Sequence, residues 1–486
     1  MDYRSTRDAG KSYTASGAIL EGLSPDGGLF VPSHFPQIDF SLWQNKNYPE
    51  LAQLVLAPFL NEYSADFLEQ ATHQSYDEPF DKKPLRLQKV RNGVYSLELW
   101  HGPTAAFKDY ALQLMPKLLY QAKQINADKK EEETLVLVAT SGDTGKAALE
   151  GFKDIEGIKI AALYPLDGTS EVQRLQMVTQ EGNNVTVFAI HGNFDDAQRA
   201  VKKVFANKEL GKSLKGQNKS LSSANSINWG RLVPQIVYYV ASYLQFCKQG
   251  DIEYGQAVDY CVPTGNFGDI LAGYYAKKMG LPIGRLICAS NSNNVLADFF
   301  ATGTYDARRE FYKTSSPSMD ILISSNLERL LYHASGSDKA VRGWMEQLAK
   351  DGFYTVDKAT LAEIQGTFEA GWLDEKKVSD VIFDIFEQDA YLCDPHTAVG
   401  FGVAQNLPPR QNPLVVLSTA SPYKFSGKVL EALRQETAED EFECMNRLAA
   451  YTKQTPPASL ADLQKKTVRF TQTIDADDIL NLPPQL

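Results

Sequence analysis

The chain has 486 residues, of which 43% are hydrophobic, so it exceeds one ordinary core and we expect two or three domains. Its formal net charge of -11 argues against nucleic-acid binding, which needs cationic side chains to neutralise phosphates. With neither a signal segment nor an apolar run of membrane-spanning length, we expect a cytoplasmic location and no membrane partner. Five scattered cysteines predict reduced thiols, without disulfides or a metal site.

The first segment that carries chemistry is residues 101–110, in which a Gly-Pro turn leads to Lys108. Phe107 precedes this lysine and Asp109 follows it. Burial beside apolar groups disfavours the ammonium form and favours a free amine, which can form a Schiff base with an aldehyde. We therefore predict that Lys108 is a covalent nucleophile, against the alternative of a solvated surface lysine.

From residue 135 onward, short apolar runs rich in β-branched residues alternate with amphipathic segments. This alternation is typical of the α/β class with doubly wound parallel sheets. The predicted strands cover 135–140, 158–164, 185–190, 258–262, 285–289 and 414–417, and the predicted helices cover 146–152, 170–179, 195–206 and 270–279.

A loop of small and hydroxyl residues follows the first of these strands and precedes a helix. It consists of Ser141, Gly142, Asp143, Thr144 and Gly145. Small residues and hydroxyls at a helix N-terminus predict an anion site. A tight turn capped by a serine or threonine would account for the same residues without any ligand.

A second loop joins the strand at 258–262 to the helix at 270–279. Its residues are Gly265, Asn266, Phe267, Gly268 and Asp269. Glycines in this position allow backbone N–H groups to close on a phosphate, assisted by the positive end of the helix dipole. We favour a phosphate site over a simple glycine turn, because two glycines flank the central pair directly after a buried strand.

Amides and one arginine cluster before the apolar stretch 232–239, and they predict a second phosphate site. The residues are Asn225, Ser226, Asn228 and Arg231, and the alternative is a capped helix start. After the last strand, Thr419 belongs to a hydroxyl cluster that could bond a pyridine nitrogen. His101 and His396 are interpreted as supporting residues, because Lys108 already supplies a base.

Taken together, these motifs resemble the threonine synthase family. The resemblance covers nearly the whole chain, in the order typical of the family, at residues 3–7, 26–32, 101–109, 141–145, 223–228, 265–269, 394–396 and 418–420. One departure is Ser421, where the family usually has a histidine, so no histidine acts at that position.

The resemblance implies the tryptophan synthase β-like fold, called fold type II. This fold comprises two doubly wound parallel-sheet domains, here with an added N-terminal region. Along the chain we expect an N-terminal region at 1–95, a first α/β domain at 96–220, a second at 221–430 and a C-terminal extension at 431–486.

The resemblance also implies a reaction, the conversion of O-phospho-L-homoserine and water to L-threonine and phosphate. The cofactor would be pyridoxal 5'-phosphate, and the chemistry a γ-elimination followed by a β-addition. In this scheme Lys108 holds the cofactor and moves the substrate's Cα proton. Residues 265–269 and Thr419 bind the cofactor, whereas 141–145, Asn225, Ser226, Asn228 and Arg231 bind the substrate.

Two other functions fit part of the pattern. A related fold type II lyase, such as a serine or threonine dehydratase or a β-replacement synthase, carries a loop close to residues 141–145. A non-catalytic homologue could use the same pocket to bind phosphorylated metabolites. Segments 26–32 and 101–109 favour threonine synthase, and the chain is expected to be a monomer or a homodimer.

Overall fold

The computed structural model of the chain describes residues 1–166, 169–192 and 194–483. In chain order its strands are β1 (Tyr3–Ser5), β2 (Phe30–Pro32), β3 (Arg86–Arg91), β4 (Val94–Glu98), β5 (Glu133–Ala139), β6 (Ile158–Pro165), β7 (Val185–Ile190), β8 (Lys219–Ser223), β9 (Val258–Pro263), β10 (Ile283–Ser290), β11 (Thr304–Asp306), β12 (Phe353–Thr355), β13 (Phe368–Trp372), β14 (Leu414–Ser418) and β15 (Thr473–Ile474).

The helices are α1 (Ala15–Glu21), α2 (Tyr48–Leu56), α3 (Ala65–Tyr76), α4 (Asp109–Leu112), α5 (Met115–Ile125), α6 (Asp143–Phe152), α7 (Glu171–Val178), α8 (Phe194–Ala206), α9 (Lys208–Gly216), α10 (Trp229–Leu232), α11 (Ile236–Gln249), α12 (Gly268–Lys278), α13 (Val295–Thr302), α14 (Leu327–Ser335), α15 (Asp338–Asp351), α16 (Lys358–Thr367), α17 (Glu375–Asp389), α18 (Pro395–Gln405), α19 (Ser426–Ala432), α20 (Glu441–Thr452) and α21 (Ala458–Ala461). Short 3₁₀ helices cover Phe40–Trp43, Glu78–Phe80, Ala127–Lys129, Val233–Gln235, Pro317–Met319, Pro422–Phe425, Leu463–Lys465 and Asp478–Asn481.

The smaller of the two main sheets has five parallel strands in the order β15-β7-β6-β5-β8. Alternate residues of a strand point to opposite faces, so β5 contributes to two apolar layers. Val136 and Val138 belong to the large core cluster, whereas Leu135 and Leu137 pack with Val201 and other residues of α8 and α9. Helices thus cover both faces, which confirms the predicted α/β class with parallel sheets.

The larger sheet has six strands in the order β13-β10-β9-β14-β4-β3. All neighbouring pairs are parallel except β3 and β4, which form an antiparallel hairpin at the edge. This edge pair departs from the parallel arrangement of the other strands, because Asn92-Gly93 closes a two-residue turn with Gly93 at φ 72°. An Asn-Gly pair between two strands is a strong hairpin signal.

The three predicted domain boundaries fall inside strands and helices of the structure. The boundary at 95/96 lies inside β4, the one at 220/221 inside β8, and the one at 430/431 inside α19. Strands of the six-stranded sheet come from between residues 86 and 418, on both sides of the segment that forms most of the other sheet. The C-terminal region returns to that smaller sheet as β15, which pairs with β7.

The N-terminal region packs onto residues beside the site. Tyr3 donates its hydroxyl to the Phe59 carbonyl at 2.7 Å, within the region itself. Arg7 forms an ion pair of 2.7 Å with Glu328, and Arg329 donates to the Phe30 carbonyl at 2.9 Å. These contacts connect the first strands of the chain to α14.

The five cysteines are free, and four of them are buried. Across the described ranges, no helix combines the length and apolarity needed to cross a bilayer. The same residues contain no group of three or more histidine, cysteine or acidic side chains placed to hold a metal ion.

Candidate active site

A cavity of about 580 Å³ lies where loops from both main sheets meet. The loops that follow β5, β9 and β14 all contribute to its lining, as expected at the carboxyl ends of parallel strands. The predicted site residues that line it are Lys108, Ser141, Asp143, Thr144, Asn225, Ser226, Arg231, Gly265, Asn266, Phe267, Gly268, Asp269 and Thr419. Those that do not line it are Gly142, Gly145 and Asn228.

Lys108 stands directly before α4, at the end of a loop held by β14. The N–H of Phe107 donates to the Thr419 carbonyl at 2.9 Å, and Ala106 forms a single bridge with Ala420. These contacts direct the lysine into the cavity, where Nζ lies 3.3 Å from the Ser318 hydroxyl. The predicted nucleophile is therefore buried and has few hydrogen-bond partners.

Burial is the largest influence on the Lys108 amine, and it lowers the pKa. Asp143, whose Oδ2 lies 3.5 Å from Nζ, opposes this change. The positive charges of Lys424 and Arg231 add to the lowering, so the pKa of Lys108 falls below its ordinary value. A lowered pKa increases the fraction of free amine, which is the form that a nucleophile or general base requires.

Asp143 is the first residue of α6 and is almost fully buried. Its Oδ1 accepts from Lys424 Nζ at 2.5 Å and from Gln173 at 3.0 Å. Burial alone would raise the pKa of this carboxyl, but Lys424 and Lys108 together hold it well below the usual range. Asp143 is therefore a fixed negative charge between two lysines.

Thr140 organises the loop at 141–145, a role that sequence reasoning missed. Its hydroxyl accepts the N–H groups of Gly142 at 2.9 Å and Gly145 at 2.8 Å. A Cβ on Gly145 would lie 2.3 Å from the Thr140 side chain, so the glycine is required by packing. Ser141 and Thr144 line the cavity, and no protein partner for their hydroxyls is found among the described residues.

The loop after β9 presents consecutive backbone N–H groups at the start of α12. Those of Gly265, Asn266, Phe267 and Gly268 have no protein acceptor within the described part of the chain. Phe267 adopts the left-handed conformation at φ 61°, and its ring packs against Phe300 and others. Unpaired N–H groups at a helix N-terminus are suited to bind an anion.

Asp269 lies one residue further along and lines the same cavity. Its Oδ1 accepts from the hydroxyls of Tyr238 at 2.6 Å and Tyr239 at 2.9 Å, and its Oδ2 has no partner. Burial raises the pKa of this carboxyl to about 6, although both tyrosine hydroxyls act in the opposite direction. Asp269 can therefore change its charge near neutral pH.

Arg231 is a buried cation on the cavity wall, and no carboxylate pairs with it among the described residues. Its Nη1 donates to the Ala224 carbonyl at 2.5 Å, and its Nε has no partner. Burial lowers the pKa of the guanidinium to about 10, so it stays charged at neutral pH. A buried and incompletely paired guanidinium fits an anionic ligand.

Two of the amide and hydroxyl residues near Arg231 face the cavity, and one does not. Asn225 and Ser226 line it, whereas Asn228 is buried at the N-cap of α10. Asn228 Oδ1 accepts from the Gly230 N–H at 2.8 Å, and its amide donates to the Ile19 carbonyl at 3.0 Å. The structure thus places Asn228 in the capped helix start that was weighed as the alternative.

Thr419 lies in the cavity lining directly after β14, where the sequence placed it. Ser418 faces another way and accepts from Trp100 at 3.0 Å. Ser421, at the position where the family usually has histidine, caps the 3₁₀ helix Pro422–Phe425. Of the hydroxyl residues Ser418, Thr419 and Ser421, Thr419 is the one that lines the cavity.

The two histidines occupy different places. His396 lines the cavity, where its Nδ1 lies 2.6 Å from Asp394 and its Nε2 accepts the Ser318 N–H at 3.2 Å. His101 pairs with Glu98 at 2.6 Å outside the lining. His396 thus holds the segment that contains Ser318 close to Lys108.

Sequence reasoning also missed one wall of the cavity. Residues 317–323 line it, and so do Gln198 and Val201 of α8, for which the sequence predicted a helix and no part in the site. The only signal for the first wall was the run of hydroxyl residues at 314–318, which resembles an ordinary loop.

The fold and the cavity agree with one class of protein, the pyridoxal-phosphate-dependent enzymes. A family model described as "Pyridoxal-phosphate dependent enzyme" matches residues 83–384, which is more than half of the chain. Models described as "Threonine synthase N terminus" and "Threonine synthase, C-terminal" match residues 2–76 and 397–479.

Similar proteins and solved structures identify the family within this class. The chain is 37% identical over 467 residues to threonine synthase of Schizosaccharomyces pombe, covering 89% of each chain. It is 35% identical over 514 residues to that of Saccharomyces cerevisiae, covering 99% and 96%. A PLP-bound threonine synthase structure from Brucella melitensis matches with a TM-score of 0.88 and 36% identity, covering 99% of both chains. The chain belongs to the threonine synthase family.

Longer relatives match as well. Threonine synthase-like 1 of Homo sapiens is 38% identical over 466 residues, which cover 93% of this chain. The chain spans 62% of that human relative and 64% of the one from Pongo abelii.

Proposed function

We propose that the chain is a threonine synthase that converts O-phospho-L-homoserine and water to L-threonine and phosphate. The observation that carries this proposal is one cavity with a buried lysine, Lys108, and two separate groups of unpaired donors that would each bind an anion. One group is the N–H row at 265–268, and the other includes Arg231. Two such groups suit a reaction in which the cofactor and the substrate each carry a phosphate.

The residues present fit pyridoxal 5'-phosphate as the cofactor. Lys108 would hold it through Nζ, the N–H groups at 265–268 would hold its phosphate, and Thr419 would bond its ring nitrogen. When bound, this cofactor supplies an electron sink for the negative charge left after a substrate carbon loses its proton. The fit rests on acceptor-free N–H groups and on a buried amine with a lowered pKa.

Lys108 would also serve as a base toward the substrate. As a free amine within the cavity, it would take the proton from the substrate's Cα and return one at product release. The lowered pKa of Lys108 favours the basic form for this task. Its position beside the Ser318 hydroxyl keeps the amine in one place.

The remaining predicted residues would orient the substrate. Ser141, Thr144 and the N–H groups of their loop would bind its carboxylate, and Asn225, Ser226 and Arg231 would bind its phosphate. Gly142 and Gly145 would shape the first of these loops, because both of their N–H groups bond Thr140. Residues 317–323 would limit the access of water until the addition step.

The cellular setting belongs to the same proposal. We infer a cytoplasmic enzyme of threonine biosynthesis, acting as a monomer or homodimer and binding no nucleic acid or membrane. The net charge of -11 supports the absence of a nucleic-acid partner.

The decisive experiment is incubation of the cofactor-loaded protein with O-phospho-L-homoserine. We expect equal amounts of free phosphate and L-threonine, measured by phosphate release and by chiral amino-acid chromatography. A parallel incubation with L-threonine or L-serine tests the dehydratase alternative. Keto-acid formation without phosphate release would overturn the proposal in favour of another lyase, and inertness toward every substrate would indicate a binding protein.

Lys108→Ala tests the role of the nucleophile. We expect this variant to lose the visible absorbance of lysine-bound cofactor and to lose turnover, while keeping its far-ultraviolet circular dichroism. Lys117→Ala is a matched control, because burial lowers the Lys117 pKa to about 8 while the side chain lies outside the cavity lining. Borohydride trapping that labelled Lys117 rather than Lys108 would contradict the assignment.

A further inference from the structure

Lys424 is a fully buried lysine that sequence reasoning did not single out. Its side chain has 0% exposure, and its Nζ contacts Asp143 Oδ1 at 2.5 Å and the Thr104 carbonyl at 3.2 Å. Lys424 lies on the 3₁₀ helix Pro422–Phe425, which Ser421 caps. Burying a charge this completely is costly unless it is paired, so buried Lys424 depends on its ion pair with Asp143.

The two lysines share Asp143 unequally. Lys424 lies 2.5 Å from Oδ1, whereas Lys108 lies 3.5 Å from Oδ2. Gln173 donates to Oδ1 as well, at 3.0 Å, and so helps hold the carboxylate in its orientation toward Lys424. The strong contact of Asp143 is therefore with Lys424, and its contact with Lys108 is at the limit of a hydrogen bond.

We propose that Lys424 is a positioning residue that neutralises Asp143 and thereby prevents this carboxylate from holding Lys108 as an ammonium ion. This proposal rests on the proposed role of Lys108 as nucleophile and base. It gives Lys424 a function without any contact to cofactor or substrate, since Lys424 is absent from the cavity lining.

The charges around Lys108 support this role. The groups that face it are Asp143 from α6, Lys424 from the 3₁₀ helix, Arg231 from α10 and Asp269 from α12. His396 of α18 also lines the cavity, but its two ring nitrogens are engaged by Asp394 and the Ser318 N–H. Without Lys424, Asp143 would be left with Lys108 as its nearest cation, and the ammonium form of Lys108 would be stabilised.

The experiment uses the apoprotein and formaldehyde with cyanoborohydride as the probe. Reductive methylation requires a free amine, so its rate at Lys108, followed by peptide mass spectrometry across pH, reports the midpoint of deprotonation. We expect Lys424→Met to move this midpoint upward by about one pH unit or more, as expected for an uncompensated carboxylate. Lys424→Arg keeps the charge and should stay near the wild-type midpoint.

Two further variants keep the test decisive if Lys424→Met fails to fold. Asp143→Asn should lower the midpoint, and Asp143→Asn combined with Lys424→Met should remove the upward shift. The Lys117 peptide in the same digest is the internal control, because Lys117 donates to the Gln113 carbonyl at 2.8 Å and does not line the cavity.

An unchanged Lys108 midpoint in folded Lys424→Met, or an unchanged midpoint in Asp143→Asn, would overturn the proposal. An equal upward shift in Lys424→Arg would show that the shape of Lys424 matters and its charge does not, which also overturns it. The measurement needs neither O-phospho-L-homoserine nor turnover. A failure of the proposed function would therefore leave this result interpretable.

Discussion

At the scale of single residues, Asp269 combines two properties that conflict. Its carboxyl lies next to N–H groups that suit an anion, because they have no acceptor among the described residues. Asp269 is itself an acid, however, and its Oδ2 has no partner among those residues. Burial raises the pKa of this carboxyl to about 6, so a larger fraction is protonated near neutral pH than for an ordinary aspartate. The protonated fraction reduces the repulsion between Asp269 and a phosphate.

We predict that Asp269→Asn changes the pH dependence of stability. A carboxyl with a raised pKa stabilises the fold fully below its unfolded pKa, near 3.8, and loses that contribution as pH rises through about 6. From these values, the free energy of unfolding of the variant relative to wild type should rise by about 1–2 kcal/mol between pH 5 and pH 7.5. Urea unfolding of both apoproteins measures it.

A second buried carboxyl, that of Asp109, does not disturb this comparison. Burial raises the pKa of Asp109 to about 6 as well, but it is present in both proteins and cancels in the difference. A difference in unfolding free energy that stayed flat across this pH range would show that Asp269 is ionised throughout.

Residues whose side chains suit a ligand could be predicted from the sequence. Residues that act through their contacts in the folded chain could not. Lys108 and Thr419 were predicted from the order of several motifs along the chain, and both line the cavity. Asn228 was misplaced because an amide before an apolar helix suits an N-cap and a ligand equally well. Thr140 and Lys424 were missed because their partners are distant in the chain or belong to the backbone.

At the scale of elements, the loop after β9 is shaped by its contact with the opposite wall. A Cβ on Gly265 would lie 2.5 Å from the carbonyl oxygen of Ser318, which is backbone and cannot rotate away. The Gly265 carbonyl also accepts the Ser324 hydroxyl at 2.7 Å. The N–H row is therefore positioned by close approach between two loops as well as by α12.

We predict that Gly265→Ala weakens cofactor binding and lowers stability, because the two loops must separate. Overpacking of this kind costs about 1–3 kcal/mol. Titration of the apoprotein with pyridoxal 5'-phosphate measures the affinity, and thermal unfolding measures the stability. Gly343→Ala is the control, because nothing lies within 4 Å of its Cβ position in α15, and a helical alanine should stabilise by about 0.5–1 kcal/mol. Unchanged cofactor affinity in Gly265→Ala would contradict the prediction.

Apolar runs predicted six of the buried parallel strands, but they missed the buried strand β4 and the strands at the edges of both sheets. The predicted strands at 158–164, 185–190 and 258–262 match β6, β7 and β9 to within one residue at each end. The amphipathic segments at 170–179 and 195–206 correspond to α7 and α8. β3 and β15 were missed because an edge strand is half exposed and lacks the continuous apolar run of a buried one.

At the scale of the whole molecule, the order of the chain and the order of the sheets differ. The predicted division at 95/96 separates the two halves of β4, because a sheet is completed by long-range pairing that local composition does not report. The N-terminal region connects to α14 through Glu328, which accepts from both Thr6 at 2.5 Å and Arg7. The N-terminal region is therefore anchored to α14, which begins two residues after the cavity-lining residue Ser325.

The C-terminal tail closes the exposed edge of the smaller sheet. The N–H groups of Ala189 and His191 donate to carbonyls of Gln472 and Ile474 at 3.0 and 3.1 Å. Arg469 donates to the Gln180 carbonyl at 2.6 Å and to that of Gly182 at 3.0 Å. An edge strand left unpaired is a template for aggregation, so this tail protects β7.

We predict that deletion of residues 467–486 lowers the unfolding temperature and promotes association, while cofactor binding survives. Loss of the buried Ile479 alone costs about 1.5–3 kcal/mol, before the lost strand pairing is counted. No described residue of the deleted segment, 467–483, lines the cavity, so pyridoxal 5'-phosphate should still produce visible absorbance. Calorimetry and light scattering provide the two measurements. The control is Asp477→Ala, which breaks the exposed ion pair with Lys203 and should leave the unfolding temperature nearly unchanged. A truncated protein that unfolds at the full-length temperature and stays monodisperse would show that β7 needs no cover.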